Sequence, residues 1–313
     1  MIVARPHVSF LAIDAGQTGI KARVSRADGQ TEDYLYPGVR TNEPLLPQLA
    51  RVTEAIHAGL PESFEAVAYG VSGLTGADSD ARSILSLVDR FGVREAHLAH
   101  DSVTSFLGSL GHQHGAVIAA GTGAVTLGVG ATRVARVDGW GNIMGDAGSG
   151  YWIGRRALEL AMRSYDGREV PTALVDILRE RWPDIEDAYV DLQSDPDRVS
   201  IVASLSEAVT SLAPTDPIAA QITAEASHEL AHSVLTALAS VQGPQSDREL
   251  VTAIGGVFRS ESIRARFEKL VTQARPQAHI EPARGSGLDG AASLLTLPPQ
   301  HPLSAHVLVA RSG

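Results

Sequence analysis

The stretch LAIDAGQTGIKARV, Leu11–Val24, reads as an apolar strand, a tight polar turn and a second strand. Asp14 closes the first strand, and Gly16 and Thr18 sit in the turn. A carboxylate there can hold a hard cation such as Mg²⁺ through oxygen and water. Gly16 lets the backbone approach a phosphate. Thr18 and the turn's N–H groups can donate to phosphate oxygens. Taken alone, the same pattern also describes an ordinary hairpin with a polar turn, so both readings stand at this point.

Working outward, Thr31–Tyr36 follows as a third strand across the turn at Ala27-Asp28-Gly29. A Pro- and Asn-containing loop runs to Pro47, and apolar residues then recur at helical spacing over Leu46–Leu60. Ala66–Val71 reads as a buried strand and Ala96–His100 as a short strand, with an amphipathic helix over Ser79–Phe91 between them and a helix over Ser102–Leu110 after them. Gly111–Gly115 is a candidate lobe boundary, because the opening pattern then restarts. Ala116–Ala120, the turn Gly121-Thr122-Gly123 and Val125–Val129 repeat strand, glycine turn, strand. Six glycines fall within Gly139–Gly154, and a long helix is expected from about Ile153. Pro183–Asp197 reads as surface turns, Ser200–Val241 as helix broken near Pro214–Pro217, and Leu250–Ile254 as a strand ending in Gly255-Gly256. A small-residue helix over Ala283–Leu295 and a Pro-rich tail complete the pattern.

The bulk numbers narrow the function classes. The 313 residues carry a net charge of −10 with no basic stripe, which argues against a nucleic-acid partner. There is no cysteine, so disulfides, iron–sulfur clusters, cysteine-ligated zinc and a cysteine nucleophile are excluded. No apolar run reaches the ~20 residues of a membrane span, and none of signal-peptide length precedes Asp14. A soluble, cytoplasmic protein is expected.

Gly121-Thr122-Gly123 is a second candidate phosphate turn, and Gly255-Gly256 a third point of close approach. Asp101 ends one strand and opens a helix. It can be an N-cap or a base that accepts a hydroxyl proton, and a helix N-terminus would keep it ionised in either role. Gly139-Trp140-Gly141 with Asp146 offers a ring face and an acceptor, the pair that holds a sugar. Two motifs point elsewhere. His228-Glu229-Leu230-Ala231-His232 matches HExxH, but its alanine-rich helix lacks the metzincin continuation, and an ordinary helix surface is expected. Gly285-Ser286-Gly287-Leu288-Asp289-Gly290 matches GxGxxG, yet too few residues follow for a dinucleotide fold.

In this order, Asp14-x-Gly16-x-Thr18, Asp101, Gly121-Thr122-Gly123, Gly139-Trp140-Gly141…Gly145-Asp146, Gly255-Gly256 and Gly290-Ala291-Ala292 resemble the actin-like sugar kinases. Among these, the chain is most similar to the N-acetylglucosamine kinase branch of the BadF/BadG/BcrA/BcrD ATPase family. The most specific piece is GWGNIMGDAGSGYWIGRRAL. The resemblance implies an α/β, two-lobed actin-like (ribonuclease H-like) fold, each lobe a mixed sheet flanked by helices, with a ligand cleft between lobes. The lobes expected are 1–110 and 111–313, with the last helix a candidate to return to the lobe interface. ATP as co-substrate, Mg²⁺ and a homodimer are implied as well.

By the same resemblance, Asp14 orients Mg²⁺. Gly16, Thr18 and Gly121-Thr122-Gly123 contact ATP phosphates, and Gly255-Gly256 lie against the adenosine. Asp101 is the base on a sugar hydroxyl, the 6-hydroxyl by expectation. Asn42, Gly139-Trp140-Gly141 and Asp146 bind the sugar, with N-acetylglucosamine or glucosamine expected. The family's GDEGS reads Gly145-Asp146-Ala147-Gly148-Ser149 here. The missing glutamate leaves N-acetylmuramic acid or another hexose open. It also motivates an alternative, a non-catalytic ATP- or sugar-binding sensor on the same fold. The HExxH motif motivates a third reading, a zinc peptidase.

Overall fold

The computed structural model describes residues 9–40, 43–60, 63–76, 78–241 and 249–313. Two compact units emerge. One holds the residues up to 114 with 129–134 and 282–313; the other holds 115–128 and 135–281.

The first unit opens with β1 (Phe10–Ala15), β2 (Ile20–Ser25), β3 (Thr31–Tyr36), α1 (Leu45–Ala58), β4 (Ala66–Val71), α2 (Ala81–Val88), β5 (Glu95–His100) and α3 (Asp101–Leu110). The second unit follows with β6 (Gly115–Ala120), β7 (Ala124–Val129), β8 (Val134–Asp138), α4 (Gly150–Tyr165), α5 (Leu174–Arg181), α6 (Ala188–Ser194), α7 (Arg198–Leu212), α8 (Pro217–Val241), β9 (Glu249–Ile254), α9 (Glu261–Ala274) and β10 (Ala278–Ile280). The chain then completes the first unit with α10 (Gly287–Ser293) and β11 (Val307–Arg311).

The first sheet has the order β11-β5-β4-β1-β2-β3. Strands β1, β4 and β5 are parallel, whereas β2, β3 and β11 join by antiparallel pairing. Strand alternation sorts β1 into two faces. Leu11, Ile13 and Ala15 enter a core with α1 and α2 residues such as Leu49, Ile56 and Ile84. Phe10 and Ala12 face Leu288 and Ala291 of α10. Helix α10 lies tight against α3, because a Cβ on Gly290 would stand 1.8 Å from the Thr104 carbonyl oxygen. The GxGxxG motif is therefore a close-packing device here. Ser286 and Asp289 complete it with a capping box at the start of α10.

The second sheet has the order β10-β9-β6-β7-β8. Its core joins Ile118 of β6 and Val251 of β9 to Ile153, Leu160, Val209, Ile222, Val234 and Phe267 from the surrounding helices. The break between α7 and α8 is held by Asp216. One of its oxygens accepts from Ile218 N and Ala219 N at 2.9 Å each, and the other from Thr172 Oγ1 and Ala173 N at 2.8 Å each.

Three expectations change. Helix α4 begins at Gly150 rather than near Ile153, because Ser149 accepts from Trp152 N and caps it. The surface turns expected over 183–197 include α6. The chain's end is no tail: Val307–Arg311 pairs antiparallel with β5 along its whole length. No helix among the described residues is long and apolar enough to cross a membrane.

Candidate functional site

In the first unit, the parallel register of β1, β4 and β5 brings their carboxyl ends to one edge of the sheet. Ligands of open α/β sheets bind at such edges. Asp14 lies there, with Asp101 just past the end of β5. The turn between β1 and β2 closes through Gly16 N donating to Gly19 O at 3.1 Å, while Val39 N donates to Gly16 O at 3.0 Å. Thr18 is exposed at its tip. The 38–39 segment buttresses this turn so closely that a Cβ on Gly38 would meet Gln17 O. Asn42 lies outside the described residues.

Electrostatics set Asp14 apart. Burial pushes its carboxyl from the ordinary 3.8 to about 6, the charge of Asp101 adds in the same direction, and Lys21 opposes. Asp101 is the first residue of α3, not its cap. His100 takes the cap, its Nδ1 accepting from Ser102 N at 3.2 Å. That nitrogen also stands 2.8 Å from Asp101 Oδ1. The two form an ion pair when the imidazole is protonated, and Asp101 Oδ1 is otherwise buried without a hydrogen-bond partner among the described residues.

These carboxylates fit Mg²⁺ held jointly with substrate phosphates, which needs only one or two protein carboxylates. Among the described residues no group of three or more His, Cys, Asp or Glu could hold a metal. His228 and His232 of the HExxH motif lie exposed on α8.

In the second unit, the Gly121–Gly123 turn closes through Gly121 N donating to Gly123 O at 2.8 Å. Its carbonyls receive Gly150 N at 2.7 Å and Tyr151 N at 3.1 Å, which anchors the turn on the start of α4. Asp146, only 9% exposed and left-handed at φ 59°, lies so close that a Cβ on Gly123 would stand 2.7 Å from its Oδ2. Burial pushes the Asp146 carboxyl upward and Asp138 adds to this, while backbone N–H groups of Ala124 and Gly141 hold it down. Gly255, at φ 103°, lets the chain pass over the end of β6, where a Cβ would meet Ala120 O at 2.2 Å. Gly256 then opens a short 3₁₀ turn. The second unit thus assembles Gly121-Thr122-Gly123, Gly139-Trp140-Gly141 and Asp146 around one strand–turn–helix corner.

The residue that builds this corner escaped the sequence reading. Asp138, left-handed at φ 61°, accepts from Gly139 N and Asp146 N at 2.7 Å each and from Ala147 N at 2.8 Å. It folds the 139–147 loop around its carboxylate. Arg136 stacks 4.6 Å from the centre of the Trp140 ring and donates to Gly139 O. The outcome is an exposed Trp140 ring, with Ile143 and Met144 exposed beside it. The signal available was an acid next to a glycine at the end of a strand.

The chain is 28% identical over 302 residues to an N-acetylmuramic acid/N-acetylglucosamine kinase of Clostridium acetobutylicum, covering 90% of this chain and 96% of that protein. It is 31% identical over 115 residues to an N-acetyl-D-glucosamine kinase of Dictyostelium discoideum, covering 35% of this chain and 36% of the relative. Among solved structures, one provisionally named an N-acetylglucosamine kinase from Chromobacterium violaceum matches with a TM-score of 0.70 at 24% identity, covering 94% and 100% of the two chains. A Schistosoma mansoni hexokinase complexed with glucose matches with a TM-score of 0.58 at 11% identity, covering 93% and 87%. These likenesses show the fold, the actin-like ATPase architecture of two mixed sheets flanked by helices. The family model for the BadF/BadG/BcrA/BcrD ATPases matches residues 11–293, and the chain belongs to that family.

Proposed function

We propose that this chain is an ATP-dependent sugar kinase, transferring the γ-phosphoryl group to the 6-hydroxyl of an amino sugar of the N-acetylglucosamine or glucosamine type. The single observation that carries the reading is the pair of carboxylates, Asp14 and Asp101, at one strand edge, with Asp14 buried enough to be pushed up to about 6. The kinase names of the two sequence relatives support it.

In this reading Asp101 accepts the proton of the attacking hydroxyl as its oxygen bonds to the γ-phosphorus and ADP departs. Positioning and charge stabilisation do most of the work in such transfers, so a weak base suffices. Mg²⁺, when bound, neutralises charge on the phosphates. Asp14 would hold it, with Gly16, Thr18 and the Gly121–Gly123 turn lying against the phosphate oxygens and Gly255-Gly256 flanking the nucleoside. Asn42, Gly139-Trp140-Gly141 and Asp146 would bind the sugar. A cytoplasmic homodimer belongs to the same proposal, the homodimer by family resemblance.

The test is ADP release from Mg-ATP with purified protein and a panel of glucosamine, N-acetylglucosamine, N-acetylmuramic acid and glucose. Phosphorus NMR of the product locates the ester. Absence of a phosphate ester on every sugar of the panel sinks the proposal.

A further inference from the structure

We propose that Gly287 is a positioning residue of the kinase site, the bare backbone seat against which the Asp14 carboxylate is set. The inference rests on the kinase reading above, in which Asp14 holds Mg²⁺. It gives a role to the middle glycine of the Gly285–Gly290 stretch, which the capping box and the packing on α3 leave unexplained.

The contact is direct. Alternation puts Asp14 on the same face of β1 as Phe10 and Ala12, the face that α10 covers. Leu288 and Ala291 pack on the two apolar residues. Gly287 meets the acid. A Cβ on Gly287 would stand 2.7 Å from Asp14 Oδ2 and 3.0 Å from both its Cγ and its Oδ1, the three nearest atoms. Gly287 is not left-handed, so its backbone does not call for glycine. The Asp14 carboxyl does. Ordinary contact begins at 3.4 Å, so a side chain at 287 and the carboxylate would have to part by about 0.7 Å.

Which of the two yields follows from what holds each. Asp289 accepts from Ser286 N and Oγ at 2.7 Å each and from Arg23 Nη1 on β2 at 2.6 Å. A Cβ on Gly108 of α3 would stand 1.9 Å from Ser286 O. The start of α10 is therefore tied to β2 and wedged against α3. The Asp14 side chain turns about two single bonds, and no hydrogen bond among the described residues fixes it. The carboxylate is the part that moves. A misplacement approaching 1 Å in a site group weakens its function by about ten-fold or more.

The full-length protein carrying Gly287→Ala supplies two readouts. The first needs no ligand. Melting temperatures of wild type, Gly287→Ala, Asp14→Ala and the double variant form a cycle. Gly287→Ala should lower the melting temperature of the wild type by several degrees. In the Asp14→Ala background the same change should leave it unchanged or raise it, because alanine is the better helix former once the contact is gone. Should Gly287→Ala alone fail to fold, the double variant should still melt cooperatively. The second readout is calorimetry of a non-hydrolysable ATP analogue with and without Mg²⁺. Gly287→Ala should cut the gain in affinity from Mg²⁺ by about ten-fold and leave the metal-free affinity unchanged, a split that a general loss of packing would not produce.

No drop in melting temperature, an equal drop in both backgrounds, or an undiminished Mg²⁺ effect in Gly287→Ala overturns the assignment and leaves the kinase reading intact. A wild-type protein that binds no nucleotide, with or without Mg²⁺, overturns both.

Discussion

Replacing Asp14 with Asn should make the ligand-free protein more stable at neutral pH while removing its response to Mg-nucleotide. The Asp14 carboxyl is held at about 6 against an ordinary 3.8, chiefly by burial. The folded state therefore binds a proton more tightly than the unfolded chain between those values. Stability from this group is highest below 3.8, falls as pH rises through the window and levels off above 6. Integrating the linkage gives a cost of about 3 kcal/mol at pH 7.5 and about 1.6 kcal/mol at pH 5. An amide carries no such charge, so Asp14→Asn should recover up to those amounts. For a unit of this size about 3 kcal/mol corresponds to a rise of about 6–12 °C in melting temperature. Urea unfolding of both proteins at pH 5 and 7.5, in low salt, measures the gap directly. Mg-ATP should raise the wild-type melting temperature by mass action and leave the variant's unchanged. A gap that is equal at the two pH values, or a variant less stable than wild type at pH 7.5, would refute the burial argument.

Four further outcomes are expected. Asp101→Asn should cut turnover by about 10²–10⁴-fold, the usual weight of a general base, while sugar binding by thermal shift survives; full activity would remove Asp101 from the chemistry. Gly290→Ala should destabilise by about 1–3 kcal/mol or more, since its Cβ would press on the Thr104 carbonyl. In contrast, Gly121→Ala has open space around its Cβ and should leave the melting temperature unchanged; a raised KM for ATP would mark the turn as a phosphate contact, and an unchanged KM would argue against it. Asp138→Asn replaces one of two acceptor oxygens that hold Gly139, Asp146 and Ala147. It should weaken sugar binding at least about ten-fold, the worth of one charged hydrogen bond, and an unaltered sugar affinity by calorimetry would dissociate the loop from the sugar.

The strands around Asp14 and Thr122 were legible because alternation, glycine turns and buried apolar runs act within a few residues. The family order of motifs was legible for the same reason, since each motif is a short strand followed by a turn. What stayed hidden depends on contacts across the chain. Strand β11 is a five-residue run that pairs with β5, about two hundred residues earlier, and puts Ala310 into the core of that sheet. The GxGxxG stretch carried a nucleotide signature, but what requires its last glycine is the backbone of α3.

Asp138 is the instructive case. Its side chain stays within its own loop, yet its role appears only once the loop doubles back and brings the N–H groups of residues 146 and 147 onto one carboxylate. The same observation bears on Ala147. The N–H of Ala147 is committed to Asp138, so this position anchors the loop through its backbone whatever its side chain. Replacing the family's glutamate with a methyl group therefore leaves the loop's fold in place and removes only what that side chain would have touched. The loop scaffold is indifferent to this change, so its effect should fall on sugar preference. An Ala147→Glu variant screened against the sugar panel should shift the ranking of substrates with little change in melting temperature. A collapse of stability in that variant would instead assign Ala147 a packing role and return the question of specificity to Trp140 and Asp146.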